Sequence, residues 1–152
     1  VEEMQKLQGI ARVTSLQPPY SLIRRNVETE QLPWCSQENV GVIVYSPMAS
    51  GLLSGAMTRE RLAGLVKTDW RTRNEQFKEP KLSENLKLVE RLRAVGARHG
   101  RSPGETAIAW TLRHPVVTGA IVGARNSKQV DGIIGAMDFR LTPSEIAEVV
   151  GR

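Results

Sequence analysis

The sequence predicts an α/β protein in which parallel strands alternate with helices, and three observations lead there. Three short apolar runs, 10–16, 40–45 and 116–122, are each followed by a turn and then by a helical pattern. Within the second run Val42-Ile43-Val44 is apolar at every position, as a strand covered on both faces requires. Each run also ends in polar or special residues: Gln17 and Tyr20, then Tyr45, Ser46 and Gly51, then Gly123 and Arg125. Sites in parallel α/β folds are built at such strand ends.

The elements follow in order. The chain opens inside an amphipathic helix carrying Met4 and Leu7, with Gly9 as its stop, and a start on Val1 reads as a cut N-terminus. After the first strand, Pro18 and Pro19 exclude a continued strand or a helix interior. Asn26, followed by Glu28 and Glu30, then reads as the N-cap of a helix running to about Glu38. The second strand leads into Tyr45-Ser46-Pro47-Met48-Ala49-Ser50-Gly51-Leu52-Leu53-Ser54-Gly55. From 57 to 81 the periodicity fails, which makes this stretch a long connection and a candidate lid.

Ser83 is expected to cap a helix with Leu86, Val89, Leu92 and Val95 on one face, ending between Gly96 and Gly100. Ser102-Pro103-Gly104-Glu105 has the arrangement of a capping box, with Pro at the first helical position. That helix continues through Trp110 and Thr111 and is ended by His114-Pro115. Past the third strand, Gly123-Ala124-Arg125-Asn126 turns into a helix with Val130, Ile133, Ile134 and Met137 on one face. Thr142-Pro143-Ser144-Glu145 repeats the capping box and opens a last helix through Val150. This order suits either an open doubly wound sheet or part of a (β/α)8 barrel. A Gly-x-Gly-x-x-Gly turn is absent, the nearest spacing being Gly51-x-x-x-Gly55.

Composition narrows the function classes. With 152 residues and 40% apolar content the chain is long enough for one domain with a real core. The net charge of +5 comes from 21 basic residues scattered among 16 acidic ones, with no basic run interleaved with aromatics, so no nucleic-acid partner is expected. Cys35 is the only cysteine, which leaves no intrachain disulfide and reads as a buried structural thiol; no metal site is expected. No apolar stretch approaches the roughly 20 residues that cross a bilayer. No membrane association is expected, and a cytoplasmic location is.

At this point three separated segments resemble one family. Ser15-Leu16-Gln17-Pro18-Pro19-Tyr20-Ser21, the 44–55 segment, and Ile121-Val122-Gly123-Ala124-Arg125 with Gln129 are similar, in order and spacing, to the last three strand-and-loop units of aldo-keto reductases. The resemblance implies the C-terminal part of a (β/α)8 TIM barrel, strands six to eight, as a single partial domain over 1–152 with the earlier strands absent. It implies an NADPH-dependent oxidoreductase that reduces aldehydes or ketones to alcohols, acting on a small carbonyl substrate.

The resemblance also implies residue roles. Tyr45 would stack on the nicotinamide ring and Gln17 would pair with its carboxamide, an amide offering donor and acceptor together. Ser46, Pro47, Met48, Ser50, Gly51 and Leu52 would wrap the pyrophosphate, with Gly51 permitting close backbone approach. Gly123 would bind the cofactor at the third strand end, Arg125 would meet the 2′-phosphate, and Gln129 the adenosine end. Gly132 and Ile133 stand where the family often has Glu and Asn. Arg71 or Arg73 would close over the pyrophosphate from the long connection.

The family's proton donor, a Tyr with Lys, Asp and His, belongs to earlier strands, so no catalytic residue is assigned and the chain alone is expected to be inactive. His99 and His114 fall at helix C-termini and read as dipole-stabilising or exposed. A second reading is a non-catalytic NADP(H)-binding regulatory module like the potassium-channel β-subunits of the same fold. Three parallel strands leave two open edges, so the chain is expected to aggregate, to pair with a second copy, or to need an N-terminal half.

Overall fold

The computed structural model describes residues 1–151. Its centre is a sheet of three parallel strands in sequential order: β1 (Ser15–Leu16), β2 (Gly41–Tyr45) and β3 (Val117–Ile121). Parallel neighbours need a crossover. One is α2 (Gln31–Gln37), between β1 and β2; α4 (Lys81–Ala97) and α5 (Pro103–Thr111) form the other. The helix α1 (Glu2–Gln8) precedes the sheet, a short α3 (Arg59–Ala63) lies in the long connection, and α6 (Ser127–Ile134) and α7 (Pro143–Val150) follow β3. This is the expected alternation, and the strands and helices match those of a (β/α)8 TIM-barrel fragment.

Val42 and Val44 point to one face of β2 and are fully buried, in one cluster with Leu32 and Cys35 of α2, Leu92 and Val95 of α4, and Trp110 of α5. Ile43 and Tyr45 point the other way, and Tyr45 keeps 41% of its surface exposed. Cover on both faces, expected from the unbroken apolar run, is therefore corrected: one face carries the helices and the other stays partly open. Thr118 bulges out of register between Val42 and Ile43, and its hydroxyl donates to the Val42 carbonyl at 3.0 Å.

Other expectations change for identifiable reasons. The first strand shrinks to two residues because β2 offers partners only from Gly41, opposite Ser15. Ile10 is 85% exposed, and the N–H groups of Ile10 and Ala11 still donate to the Leu7 carbonyl. Gly9 does end α1, in a right-handed conformation. Asn26 caps no α-helix; it begins a three-residue 3-10 turn, and α2 starts only at Gln31. Pro33 enforces this, since a proline without an N–H fits the first turn and would break a helix running on from Asn26.

Ser83 lies inside α4, where its N–H and hydroxyl both donate to the Glu79 carboxylate at 3.1 and 2.6 Å. The acid before the helix fills the role expected of the serine. Both capping boxes form as expected, Ser102 with Glu105 and Thr142 with Glu145. The helix α5 stops at Thr111, three residues short of His114. The apolar face expected on α6 is largely uncovered: Val130 and Ile134, with Met137 just past the helix, are 43%, 53% and 65% exposed, and only Ile133 is part-buried.

The stretch 57–81 has more order than its lost periodicity suggests. Besides α3 it holds two 3-10 turns, Trp70–Thr72 and Glu75–Phe77. Met57 and Phe77 pin it down in a second core cluster with Leu52 and Leu82.

Candidate functional site

The C-terminal ends of β2 and β3 open into one cleft of about 930 Å³, within the roughly 300–1,000 Å³ of small-molecule sites. Its floor at the sheet is Tyr45 and Ile121, which are register partners. One wall is the loop after β2, where Ser46, Pro47, Met48, Ser50 and Gly51 all contribute lining. The opposite wall is the turn into α6, with Gly123, Arg125 and Gln129. Nine of the eleven expected site residues therefore meet in one place.

Two do not. Leu52 is fully buried in the second core cluster, and its N–H donates to the Ala49 carbonyl at 3.2 Å, so it holds the loop and lines nothing. Gln17 is exposed at the end of β1, one strand over from Tyr45 and outside the cleft lining.

The wall after β2 is strained. Ser46, Ala49 and Ser50 have φ of 57°, 48° and 57°, and Gly51 and Gly55 have 89° and 79°. A left-handed residue with a Cβ costs about 1–2 kcal/mol, so such residues persist only where surrounding structure holds them. Here the loop is seated on the start of α5: a Cβ on Gly55 would lie 2.8 Å from the Pro103 ring, and one on Gly104 would lie 3.1 Å from the Met48 sulfur.

Most loop N–H groups are already used. Ala49 donates to Ser46, Gly51 and Leu53 to Met48, and Ser54 to Gly51. The N–H groups of Met48 and Ser50 have no backbone acceptor among the described residues. The exposed Ser46 and Ser50 hydroxyls lie on the same loop.

Charge is one-sided. Arg61, Arg71, Arg125 and Lys128 line the cleft, with no acidic residue among its lining. Arg71 is engaged by Asp69, through Nε at 2.9 Å and Nη2 at 2.6 Å, and this hydrogen-bonded guanidinium holds the Asp69 carboxyl down to about 2. Arg61 donates to the Ala56 carbonyl at 3.1 Å. Arg125 and Lys128 are exposed and form no ion pair among the described residues.

Gln129 acts locally. Its Oε1 accepts from the Arg125 N–H at 2.8 Å, while its own N–H is capped by Asn126 at 3.0 Å. The pair fixes the turn that presents Arg125. Gly132 lines the cleft with open space where a side chain would stand.

Sequence reasoning missed several residues. Arg61, Lys128, Ser102 and Gly104 also line the cleft, although the sequence singles out none of them for it: Ser102 and Gly104 read only as parts of a helix start, and Arg61 and Lys128 only as surface charge. It also missed a buried cluster behind the cleft. Tyr20, fully buried, donates its hydroxyl to Glu28 and accepts from Arg113 Nη1 at 2.6 Å. Glu28 also accepts from Arg113 Nη2 at 2.8 Å, and from Arg25 at 2.9 and 2.7 Å. Burial alone would raise the Glu28 carboxyl; the hydrogen bonds from Arg25, Tyr20 and Arg113 override it and hold the group at about 2. Burial, then the bond to Glu28, pushes the Tyr20 hydroxyl well above its usual range.

The histidines play structural parts. His99 contacts Glu145 at 2.5 Å, tying the end of α4 to the start of α7, and burial lowers His114. Cys35 is buried, which pushes its thiol up. No group of His, Cys, Asp and Glu suited to a metal occurs among the described residues, and none of their helices is long and apolar enough to cross a membrane.

Parallel strands with helices on one face, and a cleft at their C-terminal ends, define the class of α/β proteins whose sites are built at strand ends. Comparison with known proteins narrows this. The model of the aldo/keto reductase family matches residues 1–151, and the chain belongs to that family. It is 30% identical over 134 residues to aldo-keto reductase YhdN of Bacillus subtilis, covering 88% of this chain and 40% of that protein. It is 26% identical over 149 residues to probable aldo-keto reductase 1 of Glycine max, covering 97% of this chain and 42% of the relative. Among solved structures it superposes on the glycerol dehydrogenase AKR11B4 of Gluconobacter oxydans with a TM-score of 0.90 and 29% identity, over 97% of this chain and 44% of that one. The chain thus spans less than half the length of these relatives.

Proposed function

We propose that these residues are the NADP(H)-gripping part of a reductase that converts small aldehydes or ketones to alcohols. The observation that carries this is the pairing of Arg125 and Lys128, unneutralised, in a cleft lined by four cations and no acid. A ligand with several phosphates suits such a lining, and the 2′-phosphate of NADPH adds a charge that NADH lacks. The cleft's size and the N–H groups of Met48 and Ser50 are also compatible with a dinucleotide.

In this reading Arg125 takes the 2′-phosphate, with Lys128 one turn further along adding charge. Ser46, Ser50 and the N–H groups of Met48 and Ser50 take pyrophosphate oxygens, with Pro47 and Gly51 setting the loop's course. Tyr45 lays a flat ring beneath the nicotinamide, Gln17 meets its carboxamide from the neighbouring strand, and Gln129 holds the turn beside the adenosine. Gly123 keeps the third strand end low enough for the ligand to pass. When bound, NADPH supplies a hydride to the carbonyl carbon. The proton for the carbonyl oxygen comes, in this reading, from a residue outside these 152, so the chain binds cofactor without turnover.

Titration with NADPH and NADH, followed by the fluorescence of the reduced nicotinamide, tests this. NADPH is expected to bind at least about tenfold more tightly, and Arg125→Ala is expected to erase most of the difference. Equal affinity for the two would overturn the assignment of NADPH. Reduction of an activated aldehyde by the 152-residue chain would overturn the placement of the proton donor.

A further inference from the structure

Tyr45 is the residue at which β2 leaves the sheet, and its main chain is gripped from the β1 side at both polar groups. Its N–H donates to the Pro18 carbonyl at 3.1 Å, and its carbonyl accepts from the Tyr20 N–H at 3.1 Å. Immediately after it, Ser46 turns left-handed. Any displacement of 18–20 is therefore passed to the backbone that aims the Tyr45 ring.

What fixes 18–20 is the Tyr20 side chain. Pro18 and Pro19 limit the local backbone, and the Tyr20 ring packs 5.3 Å from the Trp110 ring of α5. The Arg113 guanidinium lies 3.6 Å over that same Trp110 ring. The Tyr20 hydroxyl joins Glu28, from the following turn, to Arg113, beyond the end of α5. Three chain segments meet at one phenolic oxygen.

We infer that Tyr20, held by Glu28 and Arg113, is a positioning residue for Tyr45: it fixes the ring on which the nicotinamide half of the cofactor rests. This inference rests on the cofactor reading above. It assigns the buried cluster to one end of the ligand and leaves the adenosine end independent of it.

Tyr20→Phe isolates the claim. It removes only the hydroxyl and leaves the Glu28–Arg113 pair at 2.8 Å intact, so the charges stay matched and the chain is expected to fold. Glu28→Gln serves as a second variant that weakens the same anchor from the other side. The probes are the two halves of the cofactor, reduced nicotinamide mononucleotide and adenosine 2′,5′-bisphosphate, titrated into the full 152-residue chain and each variant, with a thermal melt beside each titration.

The expected result is about a tenfold loss of affinity for the nicotinamide half with adenosine bisphosphate binding unchanged. Unchanged binding of the nicotinamide half in both variants would overturn the inference. So would an equal loss of both halves, which signals general loosening, or an unsubstituted chain that takes up adenosine bisphosphate and no nicotinamide half. Failure of the unsubstituted chain to bind adenosine bisphosphate would overturn the cofactor reading itself, and the inference with it.

Discussion

At the scale of single residues, the cluster around Glu28 makes stability depend on acidity. Its carboxyl sits at about 2 in the folded chain against a usual 4.5. The folded value lies below the unfolded one, so the contribution is complete above about 4.5 and is lost as pH falls toward 2. Urea midpoints should fall across that window. Glu145, held at about 2 first by its bond to His99, titrates in the same range, so the informative quantity is the difference between the unsubstituted chain and Glu28→Gln. That difference should shrink as pH falls; a constant difference from neutral pH to about 2 would refute the role given to Glu28. None of this is legible in the sequence. Tyr20 and Arg113 are 93 residues apart, and nothing near either one announces the other.

At the scale of elements, local chemistry is legible and tertiary chemistry is not. Both capping boxes form because each needs only a hydroxyl and an acid three residues on. Ser102→Ala or Thr142→Ala should each cost about 1 kcal/mol in thermal melts. The start of α2 departs from expectation because Asn26 and its acids look like a cap, while Pro33 sets the true boundary. The loop after β2 is recognisable as a cleft wall from its place at a strand end, yet its backbone is not foreseeable, because Met48 and Gly55 take their places against α5, some fifty residues away. The two glycines of that loop should behave differently. Gly51→Ala meets only the cost of a positive φ, about 1–2 kcal/mol, since no atom lies within 4 Å of the added carbon. Gly55→Ala adds a collision with Pro103 and should lose a further 1 kcal/mol or more, roughly. Equal unfolding midpoints for the two variants would contradict this seating of the loop.

At the scale of the molecule, the α/β alternation is legible from the apolar runs, because strand and helix periods differ enough to survive in sequence. Which surfaces are covered is not. Val42-Ile43-Val44 looks the same whether one face or both are packed, and the apolar stripe of α6 looks like any buried one. The open sheet face carries Tyr45 at 41% and Ile121 at 46% exposure, and α6 shows Ile134 at 53%. Among the described residues, strands β1 and β3 also have an unpaired edge each. Surfaces of this kind favour association. Sedimentation velocity on the 152-residue chain should show species larger than a monomer, increasing with concentration. A monomer throughout would contradict the expectation.

The left-handed residues beside the cleft have an evolutionary consequence. Ala49 and Ser50 hold φ of 48° and 57° that glycine or asparagine would adopt at less cost. Glycine at either position relieves that local cost while adding freedom to the unfolded chain, so such a change loosens the loop more than it stabilises it. Where the shape of this loop no longer matters, these two positions are expected to change before the buried valines of β2.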